Sequence, residues 1–186
     1  MALTTELVTP RLVLRPPRAE DFEAWVAFAA DAETTRHLGG AQPRAVSWRA
    51  FCLMAGAWGL YGFGMFSVLE RATGRWIGRV GPWRPEGWPG NEIGWGLHRE
   101  VWGRGLAAEA AIAATDWALD ALGWDDFIHC IDPANVRSIA LARRLGSHRL
   151  GRATLPAPVG HDVDLYGQTA AAWRAAEPQR RGGLPR

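Results

Sequence analysis

The chain has 186 residues, room for one domain with its own core, and its apolar and charged fractions, 48% and 22%, are ordinary for a globular protein. A net charge of +2, with arginine supplying all 21 basic residues, argues against a nucleic-acid partner recognised by charge; Arg143-Arg144 and Arg180-Arg181 are expected to be solvated surface. Two distant cysteines, five unclustered histidines, no long apolar run and no leader-like start set the remaining expectations: buried free thiols at Cys52 and Cys130, no metal, no membrane partner and a cytoplasmic protein.

In chain order, the alternation of Arg11 to Arg15 predicts a short strand stopped by Pro16-Pro17. A helix is expected from Ala19 through Phe22, Trp25, Val26 and Ala29, with Glu20, Asp21 and Glu23 where its dipole favours acids. After the loop Gly39 to Pro43, Ser47 is read as the N-cap of a second helix ending near Gly59. Strands over Gly64–Glu70 and Arg75–Val80 flank the hairpin signal Arg71-Ala72-Thr73-Gly74, and Pro82 to Gly90 reads as a loop. Asn91–Leu97 returns to strand, then comes an alanine-rich helix from Gly105 to about Leu122 and a strand over Phe127–Ile131. A helix from Asn135 to Gly146 and two strands, Arg149–Thr154 and Asp162–Gln168, complete the order. The expected fold class is α/β: a mostly antiparallel mixed sheet of about six to seven strands, one splayed parallel pair, and helices on both faces. Residues 1–176 are taken as a single domain and residues 177–186 as a disordered tail.

Gly103 and Gly105 stand where the alanine-rich helix begins, although glycine weakens a helix by about 1 kcal/mol. Such a placement suits close approach of an anion to backbone N–H groups at the positive end of the helix dipole. A Walker A loop is excluded by the absence of lysine. A dinucleotide fingerprint, Gly103 to Ala108 with Asp132 as a ribose-binding acid, is the rival, which the polar His98-Arg99-Glu100 before the turn and the few residues after it disfavour. The third reading is coenzyme A. Trp102 through Ala110 (WGRGLAAEA), the early TPRLVLRPPRAEDFEAW and the later NVRSIALARRLG, in that order, resemble the GNAT acetyltransferase superfamily, in particular its Rim-type branch. In the [QR]xxGx[GA] pattern of that superfamily, Trp102 stands where Gln or Arg is usual.

That resemblance implies an acetyl-CoA cosubstrate, direct transfer to an amine acceptor, a protein N-terminus or a small molecule, and a homodimer. It makes Trp102 a cofactor-binding residue and places the backbone N–H groups of Gly103, Arg104, Gly105, Leu106 and Ala107 around the pyrophosphate, with charge from Arg104 and Arg99. It places the pantetheine arm along Trp95, Gly96 and Leu97, with Gly94 and Gly96 suiting a bulge and an N–H of Trp95 or a neighbour as oxyanion donor. Asn135 is expected to face the cofactor and Ser138 to serve as the acid, because the tyrosine that many relatives place seven residues after that asparagine is Ala142 here. Glu92 is the candidate base, Asp162 and Asp164 being weaker ones, and His129 and Cys130 read as core. Trp25 and Trp117 also read as core, whereas Trp83 and Trp88 are read as loop aromatics lining the acceptor. Two other functions stay open: a non-catalytic acyl-CoA sensor on the same fold, and a nicotinamide dinucleotide enzyme.

Overall fold

A computed structural model describes residues 5–157 and 159–177. The expected tail at 178–186 lies outside the described residues; Glu177, the first residue assigned to it, is described.

Among the described residues, eight strands form one sheet in the order β1-β2-β3-β4-β5-β6-β8-β7. From its edge, β1 (Leu7–Val8), β2 (Leu12–Arg15), β3 (Phe66–Glu70), β4 (Trp76–Trp83) and β5 (Glu92–Leu97) run antiparallel, each to the next. β5 then meets β6 (Asp126–Ile131) in parallel, and β8 (Asp162–Thr169) inserts between β6 and β7 (His148–Thr154). The sheet matches the expected class, with one strand more than the upper expectation. β1 has only two residues, too few for alternation to register.

The helices are α1 (Phe22–Ala30), α2 (Ala32–Thr35), α3 (Arg44–Tyr61), α4 (Leu106–Ala121), α5 (Val136–Arg144) and α6 (Ala170–Ala175). Phe22, Trp25, Phe28, Phe51 and Met54 from α1 and α3 form one apolar cluster with Met65 and Trp83. A larger cluster joins Ala110, Ala111, Ala114 and Ala118 of α4 to Leu12, Leu14, Val68, Ile77, Ile93 and Phe127. Alanine at those α4 positions, each fully buried, lets the helix axis approach the sheet closely.

Several expectations are corrected. α3 starts at Arg44 behind Pro43, and Ser47 sits one turn inside, its hydroxyl donating to the Pro43 carbonyl; the helix ends at Tyr61, where left-handed Gly62 stops it. β4 runs on through Pro82 and Trp83, opposite Ile93 and Glu92. β3 has ended there, so the missing Pro82 N–H deprives no neighbouring strand. Cys52 is exposed on α3 and Cys130 is half-buried, so the buried-thiol expectation fails for Cys52. Among the described residues, no helix is long and apolar enough to cross a membrane, and no group of three or more His, Cys, Asp or Glu could hold a metal.

Candidate active site

β5 and β6 share a single register pair, Glu92 opposite Ile128, before they part. Side chains bridge the strands around it. His129 Nδ1 lies 2.7 Å from the Ile93 carbonyl, which only accepts, so that nitrogen carries the proton and Nε2 accepts from the Ser147 hydroxyl at 3.1 Å. Burial lowers His129 to about 4 against that bond, so the ring stays neutral. The Ile93 carbonyl turns toward β6, and the Leu97 carbonyl turns the same way to accept from the Trp102 indole at 2.8 Å. By the two-residue period of a strand, the N–H and C=O of Trp95, midway between them, face the opening.

That opening leads into a cleft of about 990 Å³ lined by Trp95, Gly96, Leu97, Arg99, Trp102, Gly103, Gly105, Leu106, Ala107, Asn135 and Ser138. Eleven of the twelve residues expected to bind the cofactor therefore share one cavity. Arg104 is the exception. Its guanidinium turns away to Glu70 at 2.9 Å, and its carbonyl accepts from Arg11 at 2.9 Å. Arg11 in turn grips Glu109 of α4, which also accepts from the Thr9 hydroxyl and the Arg11 N–H. The glycine turn is thus pinned from behind by Arg11, Glu70 and the Trp102–Leu97 bond.

Gly103 and Gly105 both adopt φ of +76°, the left-handed conformation that other residues enter at a cost of about 1–2 kcal/mol. A Cβ on Gly103 would meet nothing within 4 Å, so backbone conformation, together with the cleft in front, accounts for this glycine. The first intrahelical bond of α4 is Glu109 N–H to Gly105, which leaves the N–H groups of Leu106, Ala107 and Ala108 without an i−4 acceptor. All three residues line the cleft. These features fit a pyrophosphate: positive dipole end, unpaired donors, and no side chain in the way.

Asn135 caps α5, its side chain accepting the Ser138 N–H at 3.1 Å. Ser138 does not bond back along its helix; its oxygen accepts from the Trp95 indole at 3.1 Å, which leaves the hydroxyl hydrogen free to donate. Ala142 is fully buried among Ile131 and Tyr166, so no side chain reaches the cleft from there. Residues absent from the sequence expectation complete the walls: Glu33, Thr34, Arg36, His37 and Leu38 on one side, Arg137 and Arg144 on α5. His37 reaches Asp132 at 2.8 Å, and Arg99 reaches Asp31 at 3.0 Å. Burial would raise the Asp132 carboxyl, but His37 and the Ala134 N–H hold it below its usual range. Spacing along the chain cannot disclose a partner 95 residues away.

Glu92 is not among the residues lining this cleft. It is 7% exposed on the opposite face of β5 from Trp95, at the start of the splay. Burial pushes its carboxyl up to about 7, against bonds from the Trp88 indole at 2.5 Å and the Cys130 N–H at 3.4 Å and the charge of Arg79. Burial likewise pushes the Cys130 thiol up, so it stays protonated. Gly94 and Gly96 follow Glu92 along the same face without a bulge; a Cβ would meet the Met65 methyl at 2.4 Å in the first case and Phe28 at 3.1 Å in the second. Trp83 is packed in the α1–α3 cluster rather than in a loop, and Trp88 half-covers Glu92. Asp164 is taken by Arg149 and Arg152, Asp162 by the Thr154 hydroxyl, and neither lines the cleft.

Residues 11–148 match the family described as Acetyltransferase (GNAT) domain. The N-acetyltransferase p20 of Bacillus licheniformis, itself uncharacterised, is 30% identical over 148 residues, 78% of this chain and 83% of its own. The uncharacterised YkkB of Bacillus subtilis is 33% identical over 90 residues, 47% of this chain, and the match spans about half of that relative, 52%. Among solved structures, an acetyltransferase from Agrobacterium tumefaciens superposes with a TM-score of 0.79 at 33% identity, covering 88% of this chain and 94% of its own. Mycobacterium smegmatis RimJ in complex with CoA-disulfide superposes at 0.67 and 22% identity over 91% and 90% of the two chains, a likeness of fold. With its splayed strands, its glycine turn and a family match over most of its length, the chain belongs to the GNAT acetyltransferases.

Proposed function

We propose that the protein is an acetyl-CoA-dependent N-acetyltransferase that moves the acetyl group directly to a primary amine. The observation that carries the reading is the joining of the glycine turn, the open edge of β5 and Ser138 in one cleft. Acetyl-CoA supplies an activated thioester. The N–H groups of the glycine turn and of Leu106 to Ala108 hold phosphate, and the Trp95 N–H and C=O pair with the pantetheine arm or bond the carbonyl oxygen as it gains charge. The Ser138 hydroxyl, set by the Trp95 indole, donates a proton to the departing sulfur. Glu92, on the acceptor side of the sheet, takes the amine proton, and a value near 7 suits a base that works at neutral pH. No covalent enzyme intermediate is needed, in keeping with a Cys130 held as thiol.

Residues 1–176 form one acetyltransferase domain in this reading, close to the Rim-type branch on the residues Trp102 to Ala110, with a protein N-terminus or a small amine as acceptor and a cytoplasmic location. A homodimer belongs to the same reading; Trp48, Leu53 and Leu60 leave exposed apolar surface on α3, and light scattering tests it. The experiment that tests the function is calorimetric titration with acetyl-CoA, CoA and NADPH, followed by a thiol-release assay over a panel of amines. Micromolar acetyl-CoA binding, no NADPH heat and amine-dependent thiol release are expected. Binding without turnover would leave the acyl-CoA sensor; NADPH binding alone would overturn the cofactor assignment.

A further inference from the structure

The face of β5 that carries Glu92 is bare backbone covered by side chains from neighbouring elements. Gly94 and Gly96 contribute no side chains, Phe28 and Leu38 stand over Gly96, and Met65 lies over Gly94 with its methyl against the backbone. Arg79 is the register partner of Gly96 on β4, so its side chain rises from the same face. That arginine is poorly served. Its Nε is enclosed and has no partner, its Nη1 touches only the Met65 sulfur at 2.5 Å, and its guanidinium lies over the Trp25 ring at 5.6 Å. Trp25 is 5% exposed and its indole N–H also lacks an acceptor. Two enclosed donors without acceptors therefore sit side by side, and one flexible methionine separates them from the Glu92 carboxylate, with which Arg79 makes no ion pair among the described residues.

Burial depresses Arg79 to about 10, and the Glu92 charge offsets part of that fall, so the group remains a cation at neutral pH. A half-buried cation without a hydrogen-bonded counter-ion carries a desolvation cost, which a paired anion offsets in part. We infer that the acceptor is a small amine that bears a carboxylate, as an amino acid does: the carboxylate displaces Met65 from Arg79 and takes the Trp25 N–H, while the amine faces Glu92. The inference rests on the transferase reading and names its acceptor class. Planar guanidinium and carboxylate groups pair through two bonds, which sulfur cannot match.

The test uses the full chain labelled with 15N at indole nitrogen and saturated with CoA. It is titrated with a panel of N-acetyl amino acids and with the matching amides, and Trp25→Phe assigns the resonance. The acids, and not the amides, are expected to move the Trp25 indole N–H downfield; Arg79→Gln removes the response and Arg79→Lys keeps part of it. Equal shifts from acids and amides, no shift from any acid, or an intact shift in Arg79→Gln would each overturn the inference. Retained CoA binding and spectral dispersion certify that a variant is folded, and Arg79→Lys stands in if Arg79→Gln is not.

A turnover arm separates this inference from the reading beneath it. Amino acids should show a KM at least tenfold below their amides in the thiol-release assay, the difference collapsing in Arg79→Gln with the KM for acetyl-CoA unchanged. Acid-specific shifts without thiol release from any amine would sink the transferase and keep the anion seat. Turnover indifferent to the carboxylate and to Arg79 would sink the seat and keep the transferase. A tripeptide amide led by aspartate carries the same charge on a larger body, and preference for it over free amino acids would overturn the small-molecule assignment.

Discussion

Glu92 couples stability to activity in opposite directions. Its folded value of about 7 lies above the ordinary 4.5, so between those values the native state holds more proton than the unfolded chain. Its contribution to stability is therefore fully present below pH 4.5 and is lost as pH rises through 7, while the ionised form needed to accept a proton grows over the same range. Glu92→Gln should lower kcat/KM about a hundredfold at pH 7.5 and erase the ascending, acidic limb near pH 7. Over pH 4.5 to 7 the melting temperature should shift in favour of the variant relative to wild type; parallel stability profiles would show that the carboxyl is not perturbed. At Ser138 the expectation is narrower: Ser138→Ala should cut kcat by roughly a hundredfold at unchanged acetyl-CoA affinity. Trp95→Phe, which removes the indole donor and shrinks the ring, should give a smaller loss. The sequence disclosed Ser138 through its spacing from Asn135, but nothing in it disclosed that Trp95 holds the hydroxyl across the cleft. Likewise Arg104 looked like a phosphate ligand by proximity in sequence, and Glu70, brought by the β3–β4 hairpin, claims it instead.

Among the elements, the glycine turn was the most legible, because left-handed backbone has few tenants and two glycines two residues apart at a helix start have few other reasons to exist. Gly105→Glu should abolish acetyl-CoA binding, since it forces a side chain into left-handed backbone and sets a carboxylate among phosphates; calorimetry checks it, and retained micromolar affinity would refute the assignment. α2 was invisible to pattern, having only four residues, yet its Glu33 and Thr34 line one wall of the cleft. Asp31 caps the helix, Thr34 accepts the Arg99 N–H through its hydroxyl, and His37 just beyond it reaches Asp132 on the far side. Both ends of that last pair are partly exposed, so the bond is modest. His37→Ala should speed acetyl-CoA release about fivefold, roughly 1 kcal/mol, with little change in the chemical step, as stopped-flow displacement would measure. The expectation that α3 begins at Ser47 failed for a local reason: Pro43 already supplies the helical φ at the junction, so the cap lies a turn earlier.

Across the whole molecule, the seven longer strands and the lone parallel pair could be read from alternation and chain order. Insertion of β8 between β6 and β7 is set by pairing over long separations, and no local pattern announces it. Global stability leans on one buried ion pair near the start of the chain. Arg15 forks onto Asp21 with two bonds of 2.8 Å, and Asp21 also accepts from the Arg18 N–H and the Ser67 hydroxyl. Burial would raise the Asp21 carboxyl, but these bonds outweigh it and hold it below the usual value, so its stabilisation is present at neutral pH and lost in acid. Asp21→Ala leaves the buried Arg15 with only the exposed Glu20 carboxylate and the Pro16 carbonyl, and should cost about 3 kcal/mol in denaturant unfolding, with acetyl-CoA affinity of the folded protein unchanged.

The parting of β5 and β6 has a consequence beyond the cleft. At that line the sheet is stitched by one register pair and by the side chains of His129 and Glu92, rather than by a continuous backbone ladder. Side chains can be edited where a ladder cannot, so the molecule has a seam along which it can open as two cooperative units, β1 to β5 with their helices and β6 to β8 with α5. Replacing His129 with leucine should split the amide-exchange pattern into two classes that unfold at different denaturant concentrations, and phosphate-site occupancy on one side would protect only the unit that owns α4.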